Sequence, residues 1–171
     1  NDTAVTNTVT AWWDINGNGV QDPGELADTS QVRWVSSVSG DLTLTSSKLS
    51  GGPDTYQVNA GDLEGSATVT VVTSCDLSPD TPTGIPVLLR FESSGGATAR
   101  WSGATTASTA GTTSVTTTGA GNVATANLIL VDGNAGDTYT VTCYFDYGAT
   151  GVLESTDPLL ATVTIKVTNG S

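Results

Sequence analysis

Asp14, Asn16, Asn18, Val20, Asp22 and Glu25 recur along one short stretch, Asp14-Ile-Asn-Gly-Asn-Gly-Val-Gln-Asp-Pro-Gly-Glu25, and each can present oxygen to a cation. Carboxylate, amide and backbone oxygens suit a hard ion, and this spacing wraps one turn of backbone around it. Asp14, Asn16 and Asn18 take alternate places, and Gly19 stands where the chain must bend sharply. Val20 offers its carbonyl, Asp22 falls where a ligand acts through water, and Glu25 closes the set with two oxygens. The competing reading is a plain Gly/Asn turn. Because every ligand position is filled, the expected chemistry is Ca2+ binding.

The stretch resembles the EF-hand loop, as also found in dockerin-like and other extracellular calcium repeats, over these twelve positions and no further. Its flanks depart from the helical pattern. Residues Thr3 to Trp13 are β-branched and aromatic, so a strand is expected to enter the loop. Behind it, Asp22-Pro23-Gly24-Glu25 has the form of a helix start, with room for a turn or two before strand character returns at Ser30 to Trp34. A loop mounted on β structure implies a structural ion rather than the opening of two helices.

The elements that must position this loop come from an acidic, histidine-free chain. Five Lys+Arg stand against seventeen Asp+Glu, a net charge of −12, which excludes nucleic acid and disfavours an anionic membrane surface as partners. There is no Met, and no stretch has the length and apolarity of a signal peptide or transmembrane helix. The mature form of a secreted, extracellular or cell-surface protein is the expectation. In that setting Cys75 and Cys143 are expected to form a disulfide. Asn1-Asp-Thr3 and Asn169-Gly-Ser171 match N-glycosylation sequons.

Period-two alternation recurs through the chain while helical periodicity is nearly absent, so the fold class is all-β. Arg33-Trp34, Asp54-Thr-Tyr-Gln-Val58 and Ala67 to Thr73 are echoed in order by Arg100-Trp101, Asp137-Thr-Tyr-Thr-Val141 and Ala161 to Thr168. A tandem duplication is the expected organisation, with residues 1–73 and 74–171 as its two units and Ser74 to Gly84 as linker. Tyr139, Val141 and Cys143 share one strand face, which points to the core. Residues 32–73 resemble the bacterial Ig-like domains of invasins, adhesins and surface-layer proteins. That resemblance implies two tandem Ig-like β-sandwich units. It departs from antibody-type domains, since Tyr139 precedes Cys143 by four residues and Cys75 would open the second unit.

Catalysis has little to draw on. Without histidine, neither a Ser-His-Asp triad nor histidine acid/base chemistry is available, and Asp62 with Glu64 reads as a pair of solvated loop acids. A non-enzyme is expected. Trp34 and Trp101 are expected in the core, whereas Trp12 and Trp13, adjacent on a strand, point to opposite faces. The strand carrying Val5, Val9, Trp12 and Trp13 is either the first strand of its own domain or an assembly strand given to a neighbouring copy. The leading functional expectation is a calcium-stabilised structural subunit of a microbial surface filament or pilus-like homo-oligomer. The other is a carbohydrate-binding or adhesin module that engages a glycan or surface through Trp12 or Trp13.

Overall fold

The computed structural model describes residues 5–34, 38–78, 84–118 and 122–169, which are all-β apart from one 3-10 turn at Ala60–Leu63. The side chains of residues 5, 6 and 31–34 lie outside that description, and with them the expectations placed on Val5 and Trp34. The chain divides into two compact units, Asn1–Val38 and Ser39–Ser171.

The first unit is a hairpin. Strand β1 (Val5–Trp12) pairs antiparallel with β2 (Ala27–Trp34), in register from Val5 opposite Trp34 to Trp12 opposite Ala27. Their β-branched and aromatic residues suit a pleated ladder. At the closed end the Trp13 N–H donates to the Leu26 carbonyl at 2.9 Å, so Asp14 to Glu25 form the connection between the strands. The helix expected at Asp22 is instead a single turn: the Glu25 N–H donates to the Asp22 carbonyl at 3.2 Å, and Gly24 sits at φ +100° behind Pro23. Proline followed by a glycine at positive φ defines a type II turn, and that glycine conformation takes the chain off the right-handed helical path.

The second unit is a β-sandwich. Its strands are β3 (Ser39–Thr45), β4 (Ser50–Gly51), β5 (Thr55–Asn59), β6 (Val69–Ser78), β7 (Pro86–Ser93), β8 (Thr98–Trp101), β9 (Ala110–Thr116), β10 (Val123–Asp132), β11 (Thr138–Phe145) and β12 (Leu159–Thr168). One sheet runs β3-β6-β10-β8 and the other β4-β5-β12-β11-β7-β9. Every pairing is antiparallel except β5 against β12, which is parallel. Alternation does the packing: Val69, Val71, Thr73, Cys75 and Leu77 of β6 face inward, as do Tyr139, Val141 and Cys143 of β11. Cys75 and Cys143 are joined as a disulfide, which ties the two sheets through the core.

The expected boundary at residues 73 and 74 falls inside β6, which runs through it unbroken. In place of two tandem sandwiches there is one, because β3 and β5, which precede that point, bond to β6 and β12. Alone they would leave open sheets. Cys75 accordingly lies on a central strand, and Ser74 to Ser78 is strand rather than linker, while residues 79–83, which include Pro79 and Pro82, lie outside the described residues. The echoed Asp-Thr-Tyr motifs have a topological explanation: Tyr56 and Tyr139 lie opposite the same residue, Ile165, on either side of β12.

Candidate functional site

The oxygen-bearing residues singled out from the sequence converge within the hairpin loop. The Asp14 carboxylate accepts three backbone N–H groups, those of Gly17 (2.6 Å) and Asn18 (3.1 Å) on Oδ1 and that of Gly19 (2.7 Å) on Oδ2. The Gly19 N–H is foremost in holding its carboxyl below the ordinary value of 3.8; desolvation opposes it, and Gly17, Asn18 and Asn16 add to it. Glu25 spans the base of the loop, with Oε1 accepting from the Ile15 N–H and Oε2 from the Asp22 N–H, each at 3.0 Å. That second bond is the one a helix-capping acid makes, here closing a turn.

Asp22 is held differently. Its Oδ2 accepts the side-chain amides of Asn16 (2.6 Å) and Asn18 (2.8 Å). The same asparagines turn their Oδ1 atoms to backbone N–H groups two residues on, Asn18 at 3.1 Å and Val20 at 2.7 Å. Asp14, Asp22 and Glu25 are half-buried, whereas the other residues from Ile15 to Gly24 are exposed. An inward turn of the charged groups inverts the usual surface preference.

Among the described residues no three Asp, Glu or Cys side chains gather closely enough to hold an ion by themselves. Here the donor set is mixed. Three carboxylates lie pre-oriented by N–H donors, each with lone pairs to spare, and two amides donate to Asp22 without cancelling its charge. A cation would cancel it if the Asn16 and Asn18 amides turned their oxygens inward, with the Val20 carbonyl completing the set. In that sense the residues present fit Ca2+.

Next to the loop lies an apolar surface. Trp12 is 39 % and Trp13 68 % exposed, with Leu26 at 70 % and Val9 at 53 %. Ala11, Trp12, Trp13, Leu26, Ala27 and Asp28 line one shallow, open depression. Leu26 escaped the reading of the sequence, although an apolar residue directly after the loop's closing acid was its signal. β1 gives one edge to β2 along its whole length, so strand addition to a neighbour is left with the opposite edge.

Elsewhere the candidate residues have structural roles. Asp62 pairs with Lys48 at 2.6 Å, and Glu64 stands exposed beside the 3-10 turn. Trp101 is buried, its Nε1–H donating to the Gly111 carbonyl at 3.1 Å and its ring set edge-on to Phe91 at 5.9 Å. Both sequons extend outside the described residues. No protein-family model matches the chain, and no curated protein matches it.

Proposed function

We propose that this protein is a secreted structural subunit of a microbial cell-surface filament, assembled from copies of itself through the N-terminal hairpin and stabilised by Ca2+ in the Asp14–Glu25 loop. The observation that carries this reading is the contrast between the two units. The sandwich encloses its own core, whereas the hairpin exposes Val9, Trp12, Trp13 and Leu26. Two-stranded ribbons of this kind are marginal in water, so the hairpin is a module that gains from a partner. An element fitting a different surface on the next copy makes a heterologous contact, which propagates rather than closes. The ion would stiffen the hairpin's closed end and leave the reaction chemistry of the chain untouched, in keeping with a non-enzyme.

Within this reading residues 39–171 form a single Ig-like sandwich. Three features support it: the β6–β11 disulfide between sheets, the parallel β5–β12 pair, and Tyr139 near the start of β11 donating its hydroxyl to the Asp132 carbonyl upstream. The separation of Tyr139 from Cys143 by four residues rather than two remains a departure.

A second reading rests on the depression beside the loop. Two exposed tryptophans flanked by Leu26 and Asp28 offer a stacking face and a polar rim, as a carbohydrate-binding module would. Negative-stain microscopy of the purified protein, with Ca2+ and with EDTA, separates the two. Filaments that need both Ca2+ and residues 1–38 support assembly. A monomer under all conditions that is retained on polysaccharide, and released by Trp13→Ala, supports the module and overturns the filament.

A further inference from the structure

Asn16-Gly17 and Asn18-Gly19 place two asparagines directly before glycines, where no Cβ hinders attack of the following backbone nitrogen on the side-chain amide. In that reaction the glycine nitrogen loses its proton and bonds to Cγ of the asparagine. The Cγ–Nδ2 bond breaks, and ammonia leaves. Water then opens the resulting succinimide at either carbonyl, giving aspartate or isoaspartate. The folded loop restrains both partners of the reaction twice over. The Gly17 and Gly19 N–H groups donate to Asp14 at 2.6 and 2.7 Å, and the two asparagine Nδ2 atoms donate to Asp22. An N–H donated to a carboxylate is harder to deprotonate, since the amide anion would face a negative charge.

We infer that Asn16 and Asn18 are a latent site of self-deamidation, held back by Asp14 and Asp22 and released when the loop opens. Each event turns a neutral donor to Asp22 into a second carboxylate facing it. Like charges at hydrogen-bond distance repel, so the loop does not close again as before. The isoaspartate product also adds a backbone atom inside a loop whose ends are fixed by the Trp13–Leu26 bond. The inference needs no bound ion, only the hydrogen bonds described.

The test follows deamidation by peptide mapping of the full chain at neutral pH, in EDTA throughout so that any cation effect is absent. Wild type, Asp14→Ala and Asp28→Ala are compared in native buffer and in urea. In the native wild type, loss of Asn16 and Asn18 is expected to be slower than in urea by about tenfold or more, the factor given by a loop open a tenth of the time or less. Asp14→Ala is expected to abolish most of that difference and Asp28→Ala to preserve it. Equal native and unfolded rates in wild type, or an Asp14→Ala chain as slow as wild type, overturn the inference. Because the sandwich is a separate unit, its unchanged circular dichroism identifies loop opening rather than global unfolding as the cause.

Discussion

The Trp13 backbone N–H donates to the Leu26 carbonyl one residue outside each end of the Asp14–Glu25 loop, so the loop's closure and the exposed tryptophan pair share one hydrogen bond. The backbone of Trp13 is thus the point where the loop meets the exposed tryptophan pair.

Calcium binding is expected to be read by those tryptophans. Titration of Ca2+ should shift the emission of the wild type, and Trp13→Phe should remove most of the signal. Glu25→Ala removes the acceptor for both Ile15 and Asp22, and is expected to weaken binding by at least about tenfold. Equilibrium dialysis that finds no Ca2+ retained by the wild type would falsify the cation role.

The loop has a defined acid limit. Asp14 is held below its ordinary value of 3.8 by backbone donors, so its ionised form stabilises the loop above that value. The contribution is lost as pH falls from the unfolded value of 3.8 through the lower folded one. The Gly17 and Gly19 amide resonances are expected to titrate together with a midpoint below 3.8. A midpoint at or above it contradicts the bonding pattern.

Within the sandwich, Thr73 is a misfit. Its hydroxyl is wholly buried and finds no hydrogen-bond partner among the described residues. Replacing an unsatisfied polar group with an apolar isostere removes a desolvation penalty. Thr73→Val is expected to raise stability by about 1 kcal/mol in urea unfolding. A loss of stability would point to an unrecognised partner for that oxygen.

Tyr139 shows the opposite case. Burial, with the nearby Asp132 and Asp137 charges, pushes its ionisation well above the ordinary range, and its hydroxyl donates to the Asp132 carbonyl. Tyr139→Phe leaves that carbonyl short of a donor, at an expected cost of about 1–2 kcal/mol. Urea midpoints of the variant and wild type, at equal slope, measure it.

How much was legible in the sequence depended on range. Alternation along one strand is local, so the inward set Tyr139, Val141 and Cys143 and the all-β class could be read directly. The connectivity inside the loop was also local, since its side-chain hydrogen bonds join residues at most ten apart. Partnership between distant strands was not. The repeated Asp-Thr-Tyr motifs suggested two domains, yet both serve Ile165 on one strand, a relation set by sheet order that no local pattern encodes. Proline and glycine after Asp22 fit both a helix start and a type II turn, and the positive φ of Gly24 separates them.

The bridge between β6 and β11 also governs what the sandwich does under tension. Force applied outside Ser39 and Thr168 travels through the covalent link, so the span between Cys75 and Cys143, 68 positions apart, is shielded from stretching. Only the flanking segments can extend, and the parallel β5–β12 pair resists them in shear, many hydrogen bonds at once rather than one after another. Under load the bridged span keeps its length, and any extension of the sandwich is confined to the strands before Cys75 and after Cys143.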